Sequence, residues 1–181
     1  LFRYMESRHE TEKRRAYSLP GTRLAVYDGT SIEELEELAQ AIAEGQDFLV
    51  FDTPGRDDPL ARHVATTADT LVTPLNDSFV DFDLIGQVEG ETFKVKKLSF
   101  YAELMWEARK KRAHSTINEQ RRDLDWVVVR NRVSSLESRN MQRIARSLGE
   151  LAARLGFRVA EPLGDRVIFR EFFPRGITAL D

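Results

Sequence analysis

The feature that most constrains this chain is an apolar run that ends in an acidic turn. Residues 48–51 are all apolar and lead directly into Asp52, Thr53, Pro54 and Gly55. A strand covered on both faces of a parallel sheet needs a continuous apolar run. The carboxyl end of such a strand opens into the crevice where ligands bind. The run therefore predicts a buried central strand with Asp52 at its end.

The residues after this run have chemistry that suits a phosphate ligand. An aspartate at a strand end can hold a magnesium ion, usually through water, while the turn after it faces a terminal phosphate. Gly55 leaves room for a backbone N–H to approach that phosphate. The alternative is an ordinary strand that ends in a tight Pro-Gly turn, because short motifs also occur without function.

The sequence contains no phosphate-binding loop of the kind that P-loop ATPases and GTPases need. Such a loop carries a Gly-Lys-Ser or Gly-Lys-Thr triplet, and neither triplet occurs in the chain. The chain also begins at Leu1, without an initiator Met, inside a segment with a helical pattern. We therefore expect a fragment of a longer protein, with the phosphate loop upstream.

Composition narrows the class of protein. The chain has 181 residues, of which 41% are hydrophobic and 31% charged, which is typical of a soluble globular domain. The formal net charge is -3, so any contact with nucleic acid requires a local basic patch. The chain has no cysteine, which excludes disulfides and suits a reducing cytoplasm. No apolar run reaches membrane-spanning length, and a cytoplasmic protein without a membrane partner is predicted.

Helix-like and strand-like segments alternate along the chain. Helices are predicted over residues 1–15, 32–44, 59–68, 79–88, 99–118 and 137–155, with a helix or turn at 166–173. Strands are predicted at residues 23–27, 48–51, 70–74, 125–131 and 157–159, with an irregular or hairpin stretch at 89–97. This alternation predicts one α/β domain over residues 1–181, with an open, mostly parallel sheet flanked by helices.

Several stretches, which together span nearly the whole chain, resemble the ParA/MinD family of P-loop ATPases. They are residues 51–55, 73–83, 126–132 and 165–171, with Phe173-Pro174 after them. The stretch at 73–83 is long and unusual, and it is similar to a subfamily of division-plane regulators rather than to generic members. A GTPase is disfavoured because residues 130–133, Arg-Asn-Arg-Val, lack the Asn-Lys-x-Asp element that reads guanine.

The resemblance implies an ATPase that uses ATP and Mg²⁺. Asp52 would correspond to the catalytic Walker B aspartate, near the metal and usually one water away from it. The nucleotide-binding residues that the family pattern implies are Thr53, Pro54, Gly55, Asn131 and Pro174. Among them, Asn131 would meet adenine and Pro174 would form part of an apolar wall beside the base.

The resemblance also implies partners. ATP would join two subunits into a homodimer that binds DNA without sequence preference, at the nucleoid. Such proteins are recruited by ParB near the chromosome origin and inhibit polymerisation of FtsZ. The family's phosphate loop belongs upstream of Leu1 and its terminal helices downstream of Asp181. We therefore expect the natural protein to hydrolyse ATP and the chain as given to be inactive.

A row of arginines is the candidate DNA contact. Arg139, Arg143 and Arg146 are spaced by three and four residues, opposite the apolar face of the helix at 137–155. Such a row suits successive phosphates, although a solvated helix face is equally compatible with the spacing. The resemblance favours DNA and adds a second segment, so that the DNA-binding residues chosen are Arg139, Arg143 and Arg166.

Other charged groups are interpreted more simply. The basic run at 109–112 is read as structural, with a minor chance of contact with an acidic partner. Asp57 and Asp58 are expected to cap the helix that follows them. Asp77, Asp81 and Asp83 follow a strand end near the crevice, where a partner or dimer role is open and no chemistry is assigned. The alternative function for the whole chain is a non-enzymatic α/β interaction module that has lost the phosphate loop.

Overall fold

The computed structural model describes residues 2–54, 58–76, 79–83, 85–88, 95–98, 100–114, 123–134 and 139–181. Contacts between residues divide the chain into two units. Unit 1 comprises Leu1–Ala61 with Arg166–Asp181, and unit 2 comprises Arg62–Asp165. None of the helices in the described residues is long and apolar enough to cross a membrane.

Helices and strands alternate over much of the chain. The helices are α1 Phe2–Arg15, α2 Ile32–Ala43, α3 Pro59–Thr67, α4 Phe79–Phe82, α5 Phe100–His114, α6 Arg139–Leu155 and α7 Val167–Phe172, with a 3₁₀ turn at Phe173–Arg175. The strands are β1 Thr70–Asn76, β2 Gly86–Val88, β3 Val95–Leu98, β4 Asp125–Asn131 and β5 Arg158–Ala160. The predicted α/β class is confirmed.

Unit 2 is built on a parallel sheet of three strands in the order β1-β4-β5. β1 pairs with β4 along its whole length, from Thr70 opposite Asp125 to Asn76 opposite Asn131. β5 pairs with β4 on the other side. Because all three strands are parallel, their carboxyl ends share one edge, and the open parallel sheet predicted from the sequence is confirmed.

One apolar core holds unit 2 together. Its most deeply buried side chains include Phe82, Ile85, Met105, Leu124, Trp126, Val128, Leu148 and Leu151. The Trp126 ring packs on Phe157 with 4.9 Å between the ring centroids. The indole N–H of Trp126 donates to the Thr73 hydroxyl with 3.0 Å between N and O. This bond satisfies a buried donor and links β1 to β4 inside the core.

Hydrogen bonds from polar side chains stabilise unit 1. The Arg8 guanidinium donates to both carboxylate oxygens of Asp181, at 2.7 and 2.9 Å. It also donates to the carbonyls of Pro20 and Gly176. Gly176 has a positive φ of 60° and lies so close to the α1 backbone that a Cβ there would overlap Arg8. These contacts hold α1 against the segment that follows α7.

Two predicted strands are wrong in this structure. Residues 23–27 and 47–54 form neither helix nor strand, and Phe48 is 88% exposed. An apolar run becomes a strand only when a neighbouring backbone supplies hydrogen-bond partners along its length. The described elements of unit 1 are helices and turns, which offer no such ladder. Asp52 therefore does not stand at the end of a strand here.

The predicted helix at 79–88 is wrong after its first turn. α4 ends at Phe82, and β2 begins at Gly86 and pairs antiparallel with β3. The hairpin expected at 89–97 therefore begins earlier, at Gly86. Glycine has a low helix propensity, so Gly86 favours this outcome. The ends predicted for two other helices, at 115–118 and 137–138, lie outside the described residues.

Candidate functional site

The predicted site residues are divided between the two units. Asp52, Thr53, Pro54, Arg166 and Pro174 belong to unit 1, and Asn131, Arg139 and Arg143 belong to unit 2. Gly55 lies outside the described residues. Each group is therefore characterised by its own surroundings.

Asp52 lines an apolar hollow in unit 1. The hollow has a volume of about 480 Å³ and is lined by Tyr4, Val50, Phe51, Asp52 and Phe173. The rings of Tyr4 and Phe173 lie with 6.0 Å between their centroids. The Tyr4 hydroxyl is buried and has no hydrogen-bond partner within the described residues. Asp52 therefore brings a carboxylate to a lining that is otherwise mainly apolar.

Pro174 is an exposed residue of the 3₁₀ turn. It directly follows Phe173, which lines the hollow, but it is not itself one of the lining residues. Thr53 and Pro54 continue from Asp52 as exposed residues. The nucleotide-binding roles of these residues stay predictions, and the strand expected before Asp52 is absent.

A magnesium ion at Asp52 would take most of its ligands from the nucleotide and from water. The described residues contain no group of three or more His, Cys, Asp or Glu side chains that could hold a metal. Mg²⁺ commonly binds through one or two carboxylates, with phosphates and water as the other ligands. A single exposed carboxylate at Asp52 fits that donor set, because the triphosphate would supply the remaining oxygens.

Asn131 ends β4 at the carboxyl edge of the sheet in unit 2. Its Oδ1 accepts a hydrogen bond from the Arg132 N–H at 3.0 Å. Arg132 has a positive φ of 53°, which turns the chain sharply after the strand. This bond orients the amide, whose NH₂ group and oxygen are the donor and acceptor types that read a base edge. Asn131 is thus placed where parallel sheets bind ligands.

Asp81 has a structural role at the same edge that the sequence did not assign. Its carboxylate accepts a hydrogen bond from the Asn76 N–H at 3.0 Å, and Asn76 is the register partner of Asn131. The carboxylate therefore satisfies a backbone donor at the end of β1. Asp83 is exposed, and Asp77 lies outside the described residues.

The segment after β5 extends this edge, and sequence reasoning missed it. The Leu163 N–H donates to the Arg130 carbonyl at 2.8 Å, and the Val133 N–H donates to the Leu163 carbonyl at 3.0 Å. The Asp165 N–H then donates to the Val133 carbonyl at 2.8 Å. The stretch from 161 to 165 has no alternating apolar pattern, so the sequence offered no strand signal there.

The predicted arginine row is present on α6. Arg139, Arg143 and Arg146 are exposed, while Ile144 and Leu148 on the other face are buried. Arg166 stands exposed in unit 1, just before α7, and makes no side-chain cap on that helix. The helix faces predicted for α6 are confirmed, and contact with DNA stays a prediction.

The basic run at 109–112 supplies helix caps. The Arg109 guanidinium donates to the Leu155 and Gly156 carbonyls at the end of α6, the latter at 2.6 Å. Arg112 donates to the Thr66 and Ala68 carbonyls at the end of α3. The last carbonyls of a helix lack partners within it and carry the negative end of its dipole. The structural reading of the run is confirmed for these two arginines.

Asp58 is confirmed as a helix cap. Its carboxylate accepts a hydrogen bond from the Ala61 N–H in the first turn of α3, at 2.8 Å. Asp57 lies outside the described residues. Asp58 therefore serves the local fold, as the sequence predicted, and is set apart from the candidate site.

Comparison with known proteins gives one family. The family model described as MipZ: ATPase MipZ matches residues 1–181. No curated protein matches the chain. The family match covers both units and every residue considered for the site.

Proposed function

Because the chain belongs to the MipZ ATPase family, we propose that it works as an ATP-dependent dimerising switch that regulates placement of the cell-division site. The match over residues 1–181 carries this proposal. The parallel sheet of unit 2 supports it, because sheets of this kind bind nucleotides at their carboxyl edge.

The proposed nucleotide site uses ATP with Mg²⁺. The metal, when bound, neutralises phosphate charge as it develops during hydrolysis. Asp52 holds it through water, and Thr53, Pro54 and Gly55 form the turn that senses the terminal phosphate. Asn131 orients the adenine through its amide. Pro174 supplies an apolar wall, and the proposal draws support from its place in the chain directly after Phe173, which lines the hollow.

The test of this site is Asp52→Asn in the natural protein. We expect ATP turnover to fall at least about a hundredfold, because the metal contributes several kcal/mol of charge stabilisation. Asp47→Asn is the matched control, since Asp47 is also exposed and belongs to the same segment. Equal turnover in the two variants would remove Asp52 from the site.

The chain of 181 residues, which contains no phosphate loop, is expected not to hydrolyse ATP. They contain no Gly-Lys-Ser or Gly-Lys-Thr triplet, so nothing in them provides the usual cradle for the phosphates. Hydrolysis of ATP above background by this chain alone would contradict the expectation and would require another phosphate site.

We propose that the ATP-bound homodimer binds DNA through Arg139, Arg143 and Arg166. The exposure of each of the three side chains supports this proposal, as does the regular spacing of arginines along α6. Arg143→Glu should weaken co-sedimentation with DNA in the presence of ATP. It should also reduce the slope of log binding constant against log salt concentration by about one. Lys111→Glu makes the same charge change at another exposed site and should bind normally. Unchanged binding by Arg143→Glu would remove that residue from the surface.

The proposed partners are ParB, FtsZ and a second subunit. In this scheme the protein works in the cytoplasm at the nucleoid, is recruited by ParB, and inhibits FtsZ polymerisation. Sedimentation of FtsZ polymers with the natural protein, with and without ATP, tests the last step. An amount of pelleted polymer that does not respond to the ATP-bound protein would contradict it.

A second candidate is a non-enzymatic interaction module. The absence of the phosphate-loop triplet from the sequence favours it, as does the position of Asp52 outside any strand. The turnover assay on the natural protein separates the two, because a module without hydrolysis has no activity for Asp52→Asn to remove.

A further inference from the structure

Two asparagines end neighbouring strands of the sheet in unit 2. Asn76 is the last residue of β1, and Asn131 is the last residue of β4. The two residues are register partners in the parallel ladder, and neighbouring strands of a sheet lie about 4.8 Å apart. Two amide side chains therefore start from adjacent positions at the carboxyl edge, where parallel sheets bind ligands.

The two amides project from the same face of the sheet. Side chains alternate between the two faces along a strand. The Trp126 indole donates to the Thr73 hydroxyl inside the core, so both of these residues lie on the core face. Asn76 follows Thr73 by three positions and Asn131 follows Trp126 by five. Because both steps are odd, both asparagines lie on the other face, where one ligand can contact the two of them.

The chain after β4 fixes the orientation of the Asn131 amide. The Arg132 N–H donates a hydrogen bond to this amide with 3.0 Å between N and Oδ1. A backbone N–H can only donate, so the atom that faces it must be the amide oxygen and not the amide nitrogen. The NH₂ group of Asn131 is therefore directed away from Arg132. A hydrogen-bond donor is the group that Asn131 offers to a ligand.

Asn76 supplies the complementary acceptor. Adenine presents its exocyclic amine, a donor, beside a ring nitrogen, an acceptor, so the protein needs one group of each kind to read this edge. The oxygen of Asn131 is turned toward Arg132, which leaves the amine to a neighbouring acceptor. Asn76 is exposed, and its backbone N–H is held by the Asp81 carboxylate at 3.0 Å. Its amide oxygen therefore starts from a fixed position beside Asn131.

We propose that Asn76 is a second base-reading residue of the nucleotide site. Its Oδ1 accepts a hydrogen bond from the exocyclic amine of adenine, while the NH₂ group of Asn131 donates to the neighbouring ring nitrogen. This role of Asn76 rests on the proposed function, in which Asn131 contacts adenine. It adds the residue that distinguishes adenine from a base with an oxygen in place of the amine.

Inosine nucleotides give this role a specific signature. Their base, hypoxanthine, carries a carbonyl oxygen where adenine carries the amine. An amide can turn its NH₂ group toward that oxygen, whereas a carboxylate can only accept. Asn76→Asp therefore keeps an acceptor for adenine but sets two acceptors against each other when hypoxanthine is bound. A purely structural role for Asn76 does not produce this difference between the two bases.

Calorimetric titration of the natural protein with ADP and with inosine diphosphate tests the role. These diphosphates carry the two bases and avoid hydrolysis during the measurement. Asn76→Asp should raise the preference for ADP over inosine diphosphate at least about tenfold above that of the wild type, because opposed acceptors cost more than a lost bond. Asn76→Ala should weaken binding of ADP about fivefold, since one hydrogen bond is lost.

Gln142→Glu is the matched control, because it makes the same amide-to-carboxylate change at an exposed position on α6. Its preference between the two nucleotides should equal that of the wild type. If Asn131→Ala weakens binding of ADP while Asn76→Asp keeps the wild-type preference, the role of Asn76 is overturned and the proposed function stands. Binding of ADP that does not change in Asn131→Ala would overturn the pairing of the two amides. A natural protein that binds no ADP would overturn the proposed function as well.

Discussion

Residues 47–51 and 125–129 have nearly the same sequence pattern and different structures. Each is an aspartate followed by four apolar residues, Phe-Leu-Val-Phe in the first and Trp-Val-Val-Val in the second. The second lies in β4, where Trp126 is 1% exposed, whereas Phe48 in the first is 88% exposed. β4 has β1 and β5 on its two sides, and the first run has no ladder. An apolar run of this kind can form a strand, but it does so only where neighbouring strands supply hydrogen-bond partners.

The two units differ in the same way. Unit 2 buries an apolar core around Trp126 and Leu148. Unit 1 buries few large apolar side chains, among them Leu19, and it also buries Arg8 and Thr11, which hydrogen-bond to the segment after α7. The stability of unit 2 therefore depends on buried apolar surface, to which many side chains contribute. The stability of unit 1 depends more on a few polar contacts, which a single substitution can remove.

The largest expected effect comes from the two apolar runs themselves. Trp126→Ala should cost about 3–5 kcal/mol of folding stability, because it leaves a cavity in the core. Phe48→Ala should change stability by less than about 0.5 kcal/mol, as expected for an exposed position. Urea denaturation of both variants measures the difference. A large loss for Phe48→Ala would break the comparison by showing that residues 48–51 are covered in solution.

The next effect concerns the polar contacts of unit 1. Asp181→Asn leaves the buried charge of Arg8 without its carboxylate, although the guanidinium keeps its hydrogen bonds to backbone carbonyls. The change should lower amide-exchange protection in α1 at least about tenfold. Amides of β4 should be unaffected. Protection of α1 that stays at the wild-type level would show that other contacts hold unit 1.

The same contact predicts a pH dependence. The hydrogen bond from Arg8 holds the pKa of Asp181 well below its usual range. Its stabilising contribution is therefore complete above the ordinary carboxyl pKa of about 3.9 and is lost as pH falls from there toward the lowered value. Wild-type α1 should lose protection in that acid range, after correction for intrinsic exchange, and Asp181→Asn should show no such step.

A smaller effect is expected from the helix caps of unit 2. Arg109→Gln should cost about 1 kcal/mol, because the last carbonyls of α6 lose a charged donor. Lys111→Gln removes one charge from the same run and should cost less than about 0.5 kcal/mol, since its side chain is exposed. Equal costs for both, measured by urea denaturation, would mean that the general charge of the run matters more than the two caps.

The smallest effect concerns the exposed ion pair between β4 and β5. Arg158 donates to Asp125, with 2.8 Å between Nη2 and Oδ2, and this bond lowers the pKa of Asp125. The pair stabilises folding above the ordinary carboxyl pKa and ceases to do so in acid. Both side chains are more than a third exposed, so Asp125→Asn should cost less than about 1 kcal/mol. If Asp125→Asn lowered folding stability as much as Trp126→Ala does, the predicted difference between exposed and buried contacts would be wrong.

Helices whose caps and apolar periodicity lie within a short stretch of sequence could be predicted. The Ser31 side chain caps α2 through the Glu34 N–H, at 3.2 Å, as the sequence indicated. α6 follows its apolar periodicity and ends before Gly156, whose φ is 69°. A helix forms its bonds within four residues, so its signal is present in a short stretch of sequence.

Elements whose partners are distant were less predictable. The run at 48–51 predicts a strand that the structure does not contain, and no sequence pattern predicts the pairing of residues 161–165 with the end of β4. For the candidate site, the sequence singled out Asp52, Asn131 and Pro174, but it did not show that Tyr4 and Phe173 line the hollow with Asp52. Contacts of this kind join residues far apart in the chain, so no local pattern contains them.

By itself, the sequence determined the α/β class, the family resemblance, and the apolar and basic faces of α6. Tertiary structure alone decided that 48–51 remains unpaired, that Arg109 and Arg112 cap two other helices, and that Arg8 meets Asp181 across 173 positions. The reason is the range of the interactions. Helix periodicity and capping act between residues a few places apart, whereas a ladder or a buried ion pair exists only after folding brings distant groups together.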